Sequence, residues 1–232
     1  MDLSYPEPAA PASALKGETI SEEPGRSQRA IARRSAETRA TVPDLEFSVD
    51  VDADPVLELT RREGCSTTTV LVRACAVALR EFPRVNGAYR DGHFERYSRV
   101  NVAVVIQTED AQPAATVLDA DTKSLPELDE ELSRLRERAA SGELTSPEQA
   151  GATFALSDLG HLGVRRAAGL ITPPQAAALT AGAIRAVPVV RDGVVAPGHE
   201  LVLTLTCDHR ILFGAHAAGF LTRVAELLET AG

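Results

Sequence analysis

Hydrophobic and polar positions follow two different periods along this chain, in alternating blocks. The segment LEFSVDVDA at 45–53 has period two, which predicts a half-buried strand. The segment VNVAVVIQT at 100–108 is almost wholly apolar, which predicts a strand buried on both faces. In SLPELDEELSRLRERAASGEL, at 124–144, leucines recur at helical spacing. We therefore expect an amphipathic helix that is capped by Ser124 and buries its leucine stripe.

The same two periods predict the remaining elements. Helices are predicted at RSQRAIARRSAETRAT (26–41), CSTTTVLVRACAVALREF (65–82), ITPPQAAALTAG (171–182) and GAHAAGFLTRVAELLET (214–230). Strands are predicted at ATFALSDLG (152–160), in the hairpin AVPVVRDGVVAPG (186–198) and at ELVLTLTCD (200–208). Thr172 would cap the third of these helices and Gly182 would end it, and the hairpin would turn at Asp192-Gly193.

The first 25 residues differ in composition from the rest of the chain. They are rich in Pro, Ala, Ser and Glu and poor in large apolar side chains, so they cannot bury enough surface to offset their ordering entropy. We expect a flexible tail at 1–25 and one folded domain at 26–232. Mixed helices and strands without a repeat indicate an α/β fold with a largely antiparallel or mixed sheet.

Composition excludes several classes of function. The formal net charge is -9, aromatic residues are 4% and Trp is absent, which argues against nucleic-acid binding. No apolar run reaches the ~18–20 residues that a membrane helix needs, and MDLSYPEPAA is unlike a secretory signal. Few, widely spaced cysteines indicate reduced thiols in a cytoplasm, and no histidine has metal-ligand spacing. These residues are Cys65, Cys75, Cys207, His93, His161, His199, His209 and His216.

The segment LVLTLTCDHRILFGAHAAGFL at 201–221 carries the most informative chemistry. A predicted strand delivers the tripeptide DHR, at 208–210, to its exit, and a Gly-Ala step then opens a helix. A histidine fixed there suits a general base, because its reference pKa of ~6.5 lies near working pH. From chemistry alone, a structural role for His209 is the more common case. The same holds for His216 and for Cys207, a conceivable nucleophile.

The segment DHRILFGAHAAGFL resembles the DHR-x-x-DGA sequence that closes the catalytic domain of dihydrolipoyl acyltransferases, the core subunits of 2-oxo acid dehydrogenase complexes. Four further segments resemble that family in the same order, so the resemblance covers roughly residues 17–232. They are RAIARRSAETRATVP, FPRVNGAYRDGHFERYSRVNVAVVIQT, TKSLPELDEELSRLRERAASGELTSPEQAGATFALSDLGHLGV with its S-N-L-G-like turn, and ITPPQAAALTAGAI with its N-P-P-Q-A-A-like start.

The resemblance implies a fold, a mechanism and an assembly. The fold would be a two-layer α/β sandwich with a mixed sheet, similar to chloramphenicol acetyltransferase. His209 would take the proton from a thiol or alcohol acceptor, and Ser157 would donate a hydrogen bond to the tetrahedral oxyanion. The supporting residues of the site would be Asp208, Arg210, Asp158, Phe213 and Gly214. The family builds its site between subunits of a homotrimer, with a channel for coenzyme A and no permanently bound cofactor.

The chain departs from the family pattern at two positions of the site. Phe213 occupies the place of the aspartate in DHR-x-x-DGA, and Asp158 follows Ser157 where Asn or Ser is usual. The lost carboxylate helps to hold the histidine in order in the family. Three interpretations stay open: catalysis tolerates the loss, Asp158 or Asp208 substitutes for the carboxylate, or the site is degenerate.

The 232 residues contain no lipoyl-lysine motif and no peripheral-subunit-binding domain, so we expect a stand-alone core with acetyl-CoA or another acyl-CoA as co-substrate. Free cores of this kind resemble the acetyltransferases that act on hydroxymethyl tetronates in antibiotic and other natural-product biosynthesis. That resemblance favours the hydroxyl of a small molecule as acceptor. Two alternatives remain, a lipoyl or acyl carrier domain as donor and a non-catalytic scaffold subunit. The sequence leaves the acceptor, the acyl group and any assembly beyond a trimer open.

Overall fold

The computed structural model describes residues 16–107 and 112–231. Most of the predicted tail at 1–25 therefore lies outside the described residues, and its described part, 16–25, is exposed and contains no helix or strand. Thr108, the last residue of one predicted strand, also lies outside them. The domain boundary at residue 26 stays a prediction. No helix in the described ranges is long and apolar enough to cross a membrane.

The described chain forms five α-helices, four of them close to predicted positions. They are α1 (Arg26–Thr41), α2 (Asp54–Glu63), α3 (Thr67–Glu81), α4 (Leu125–Ala140) and α5 (Gly214–Glu229). Ser66 caps α3 by accepting from the Thr69 amide at 3.2 Å. Ser124 is the N-cap residue of α4, as expected, and its amide donates to the Glu127 carboxylate at 2.8 Å. Helix α2 was not predicted, although proline in its first turn and the left-handed Gly64 at its end are typical helix boundaries.

Seven strands make one mixed sheet and two make a separate hairpin. The strands are β1 (Asp44–Asp52), β2 (Gly87–Arg90), β3 (His93–Arg96), β4 (Val102–Val105), β5 (Ala114–Val117), β6 (Phe154–Asp158), β7 (Ala177–Ala181), β8 (Arg185–Arg191) and β9 (Val194–Asp208). The order is β1-β9-β7-β6-β4-β5, with β8 paired to the first half of β9. Strands β4, β6 and β7 are parallel to one another, and the other pairs are antiparallel.

The helix predicted at 171–182 is wrong, because strand β7 occupies most of that segment. Pro173 and Pro174 form a turn instead of a first helical turn. All five residues of β7 are buried, between β6 and β9. The helix propensity of alanine is worth only a few tenths of a kcal/mol per residue over most alternatives. Position inside the sheet, where small side chains pack closely, therefore outweighs it.

The predicted hairpin is confirmed, and its second strand is longer than expected. Asp192 and Gly193 both have positive φ, 52° and 78°, which is the backbone of a type I′ turn. Strand β9 then continues for 15 residues to Asp208. It pairs with β8, β1 and β7, and therefore connects the hairpin to the turn that carries His209.

Helices α2 to α5 cover one face of the sheet, so the predicted two-layer α/β sandwich with a mixed sheet is confirmed. Its core joins large side chains of the sheet to the predicted leucine stripe of α4. The main contributors are Leu156, Leu179, Leu203, Leu205, Leu128, Leu132, Leu135 and Phe220. The opposite face is lined by small or hydroxyl side chains, among them Ala103, Ala155, Ala178, Thr180, Thr204 and Thr206.

Candidate active site

The turn that follows β9 carries His209 just beyond the carboxyl end of that strand. The amides of Ile211 and Leu212 donate to the carbonyl oxygen of Asp208 at 3.1 and 2.9 Å. The amide of His209 donates to the carbonyl oxygen of Pro43 at 2.9 Å. His209 itself is exposed. Main-chain bonds therefore fix the backbone of the turn while the imidazole stays accessible.

A carbonyl group sets the tautomer of the His209 imidazole. Its Nδ1 atom lies 3.1 Å from the carbonyl oxygen of Leu212. A carbonyl oxygen only accepts hydrogen bonds, so Nδ1 carries the proton and donates it. In the neutral ring the lone pair is then on Nε2. A histidine with a fixed tautomer and a free lone pair is in the state that a general base needs.

Asp208 and Arg210 engage each other and not His209. The Arg210 guanidinium donates to both carboxylate oxygens of Asp208, at 2.9 Å from Nε and 2.7 Å from Nη2. These hydrogen bonds raise the pKa of Arg210. The same guanidinium lies over the ring of Tyr89, 4.9 Å from its centroid. The pair therefore stabilises the turn, and the carboxylate of buried Asp208 is already occupied.

Phe213 is the N-cap residue of α5 and makes no capping hydrogen bond through its side chain. Its ring packs edge to face against the His209 imidazole, with 5.8 Å between centroids, and against the His216 imidazole at 6.4 Å. His216 therefore contacts the site through Phe213. A Cβ atom at Gly214 would meet no atom within 4 Å, so the structure gives no steric reason for glycine there.

Ser157 lies near the carboxyl end of β6, on the sheet face opposite the helix layer. Its cross-strand neighbours are Val105 and Thr180. It lines a cleft of about 400 Å³ between that face, α1 and the segment 168–172. Among the described residues, the hydroxyls of Thr116 and Thr180 are buried in this region without a hydrogen-bond partner. The face around Ser157 therefore offers several hydroxyl groups to a bound molecule.

Asp158 points away from Ser157, to the helix side of the sheet. Its carboxylate accepts hydrogen bonds from the Thr68 hydroxyl at 2.6 Å and from the Gly160 amide at 3.0 Å. It lines a different pocket, together with Arg136. These contacts order the turn after β6, and Asp158 does not contact His209.

Within one chain, Ser157 and His209 lie at opposite ends of the strands of the sheet. The register aligns Ser157 with Thr180 and Thr180 with Thr204, and β9 runs antiparallel to β6 and β7. His209 is five residues beyond Thr204, which is about 17 Å along the strand and about 10 Å across two strand spacings. The two residues are therefore about 20 Å apart and cannot act on one carbonyl group within a single chain.

Cys207 is unsuited to act as a nucleophile. It is buried on the helix side of β9. Burial, with a smaller effect from Asp208, raises the pKa of its thiol to about 11. The thiolate that a nucleophilic cysteine needs is therefore disfavoured. All three cysteines are free thiols.

Two groups at the site were not predicted from the sequence. The Leu212 carbonyl that orients His209 belongs to the main chain, so no side-chain motif could indicate it. Thr180 lies in the segment that was predicted as a helix. Its signal is a threonine in an alanine-rich run, on the same face of β7 as Ala178.

Comparison with known proteins places the chain beside acyltransferases. Residues 16–232 match the family described as the catalytic domain of 2-oxoacid dehydrogenases acyltransferase. The dihydrolipoyllysine-residue acetyltransferase component of the pyruvate dehydrogenase complex of Zymomonas mobilis is 31% identical over 211 residues, covering 87% of this chain and 48% of that protein. The chain spans about half the length of the curated relatives that it matches, or less.

Solved structures agree with the fold. A dihydrolipoamide acetyltransferase of Azotobacter vinelandii, in whose mechanism a serine, a histidine and an asparagine were investigated, superposes with a TM-score of 0.88 at 26% identity, covering 97% of this chain and 98% of that one. The cubic core of a pyruvate dehydrogenase complex gives 0.87 at 27% identity, covering 96% and 97%. A chloramphenicol acetyltransferase gives 0.54 at 17% identity, covering 84% and 94%, which supports a common fold alone.

Proposed function

This chain belongs to the family of 2-oxoacid dehydrogenases acyltransferase catalytic domains, and from that premise we propose that it moves an acyl group between two thiols. One thiol belongs to a dihydrolipoyl group and the other to coenzyme A. The names of its relatives support this choice, because they are dihydrolipoyllysine-residue acetyltransferases and a lipoamide acyltransferase. They support the earlier alternative of lipoyl transfer better than acetylation of a metabolite hydroxyl, and they give no support to a role in antibiotic biosynthesis.

The observation that carries the proposal is the state of His209. The ring is exposed, its tautomer is set by the Leu212 carbonyl at 3.1 Å, and the lone pair is on Nε2. A thiol that meets Nε2 can lose its proton there. The names of the relatives, which are acetyltransferases and an acyltransferase, favour an enzyme over a non-catalytic scaffold.

Each proposed active site combines residues of two copies of the chain. The separation of about 20 Å between Ser157 and His209 supports this, because one carbonyl cannot reach both side chains of one copy. We propose a homotrimer in which His209 of one copy faces Ser157 of the next. A closed ring of three head-to-tail contacts would give three equal sites. The similarity to a cubic core is compatible with further assembly of such trimers.

The chemistry then runs in two balanced steps. His209 Nε2 takes the proton of the attacking thiol, and the sulfur bonds to the carbonyl carbon of the acyl thioester. The oxygen becomes an oxyanion, to which the Ser157 hydroxyl donates a hydrogen bond. The tetrahedral intermediate collapses, its bond to the second sulfur breaks, and that thiolate takes the proton back from His209. Loss of one oxyanion donor typically costs ~10²–10³ in rate.

The first test measures acyl transfer between acetyl-CoA and free dihydrolipoamide, with wild type beside His209→Ala. We expect thioester formation on dihydrolipoamide in wild type and none above background in the variant. A parallel assay replaces dihydrolipoamide with small hydroxylated acceptors, including a hydroxymethyl tetronate. Turnover with the hydroxyl acceptors alone would contradict the thiol proposal, and a folded wild type inactive with every acceptor would favour the scaffold alternative.

A further inference from the structure

Phe213 occupies a position that helices normally give to small polar residues. It is the N-cap of α5, where Asn, Asp, Ser and Thr are preferred because their side chains accept hydrogen bonds from the first amides. The benzyl side chain accepts none, and 47% of the residue stays exposed. Within one copy of the chain, neither capping nor full burial therefore explains it. Positions that break a local rule in this way are often functional ones.

The Phe213 ring lies between two imidazoles. It meets the His209 ring nearly perpendicularly, at 82° and 5.8 Å, and the His216 ring at 64° and 6.4 Å. Both distances lie in the range of favourable edge-to-face contacts, ~4.5–7 Å. His216 in turn lies 3.5 Å from a guanidinium nitrogen of Arg84. The Phe213 ring therefore contacts both imidazoles.

The side chain of His209 has few other restraints. Its Nδ1 bond to Leu212 holds one point of the ring, and rotation about the Cβ–Cγ bond would break it. The neighbouring carboxylate of Asp208 is occupied by Arg210. Among the aromatic pairs of the described residues, the Phe213 ring is the one that lies against the His209 imidazole.

We propose that Phe213 is a positioning residue, an aromatic wall that holds the His209 imidazole in the plane where Nδ1 donates to Leu212 and Nε2 stays free. It does by ring packing what a carboxylate would do by hydrogen bonding. Its effect is on the orientation of the base and not on binding of the substrate. For its kinetic consequence, the inference rests on the proposed acyl transfer.

The experiment compares Phe213→Leu, which keeps an apolar side chain without the ring, with Phe213→Tyr, which keeps the ring. Phe47→Leu is the matched control, because it makes the same substitution at a partly buried aromatic residue of β1. Phe47 faces Leu205 across the sheet and belongs to none of the aromatic pairs around His209. Each variant is measured in two ways, by ¹⁵N NMR of labelled histidines and by steady-state acyl transfer.

We expect the His209 nitrogens of wild type to report one tautomer, protonated on Nδ1, and those of Phe213→Leu to report a mixture. The kcat of Phe213→Leu should fall roughly 10- to 100-fold, as for a displaced catalytic group, while KM changes less than about twofold. Phe213→Tyr should keep the single tautomer and most of the wild-type kcat. Phe47→Leu should match wild type in both measurements.

An unchanged His209 tautomer together with an unchanged kcat in Phe213→Leu would overturn the inference. A rise in KM at constant kcat would also overturn it, because it would make Phe213 a substrate contact. The two proposals fail separately. If wild type transfers no acyl group, the proposed function is wrong, and the NMR comparison still decides whether Phe213 orients His209.

Discussion

Replacing Phe213 by aspartate tests the energetic cost of the aromatic N-cap. Helix α5 begins at Gly214 without a side-chain cap. A carboxylate at the N-cap accepts from the first amides and lies at the positive end of the helix dipole. Relative to alanine, such a cap is worth about 1 kcal/mol. Phe213 is about half buried, so removing its ring costs about 1 kcal/mol, half the ~2 kcal/mol of a fully buried Phe.

These two magnitudes predict the order of the free energies of unfolding of wild type, Phe213→Ala and Phe213→Asp. Phe213→Ala should lower the free energy of unfolding by about 1 kcal/mol, since it loses the packing and gains no cap. Phe213→Asp loses the same packing and regains about 1 kcal/mol from the cap, so it should lie close to wild type. For a chain of this size, 1 kcal/mol corresponds to roughly 2–4 °C in Tm.

The assay is urea unfolding at fixed protein concentration, repeated at pH 7 and at pH 3. An N-cap carboxylate has a lowered pKa in the folded state, so its stabilisation is present above its unfolded pKa of ~3.9 and is lost as the pH falls through the folded value. The gap between the aspartate and alanine variants should therefore shrink at pH 3. If the two variants unfold together at pH 7, the helix start is satisfied in another way and the reasoning is wrong.

Three further predictions follow from the same geometry. His209→Ala and Ser157→Ala should each lose nearly all turnover. When equal amounts of the two variant chains are refolded together, about one quarter of wild-type turnover should return, because that share of randomly formed interfaces pairs an intact His209 with an intact Ser157. No recovery would place both residues in one copy. Gly182→Ala should cost about 3 kcal/mol or more in chemical unfolding, because its Cβ would lie 1.9 Å from a backbone carbonyl oxygen, whereas Gly214→Ala should not destabilise α5. Cys207 should resist alkylation at pH 8 in the native protein and react on unfolding, as mass spectrometry of labelled peptides would detect, since burial raises the pKa of its thiol to about 11.

Elements with a long periodic pattern could be predicted from the sequence. The leucine stripe of α4 and the Asp192-Gly193 turn identify their elements without tertiary information, because the period and the turn chemistry are local. Strand β7 could not be predicted in this way. Its five buried residues, mostly alanines, look helical until their place between two other strands is known. Helix α2 was missed because its 10 residues give a short amphipathic pattern.

The candidate site, too, could be predicted only in part. The roles of His209 and Ser157 are inferred from a sequence resemblance, and the structure shows where the two residues lie relative to each other. Their position at opposite ends of the strands depends on the pairing of β6, β7 and β9, which no local pattern reveals. The suggestion that Asp158 or Asp208 replaces the lost carboxylate was open from the sequence. It finds no support within one chain, because Asp158 binds Thr68 and Gly160, and Asp208 binds Arg210.

His209 can act as a general base without a carboxylate at position 213, because its tautomer depends on another group. The tautomer of His209 is set by the carbonyl oxygen of Leu212, and the main-chain bonds from Ile211 and Leu212 to Asp208 hold that carbonyl in the turn. A substitution at 213 removes neither the Leu212 carbonyl nor the main-chain bonds that place it. Phe213 therefore changes how α5 is capped and how firmly the imidazole is held against that carbonyl, and in wild type the nitrogen that would take the proton is Nε2.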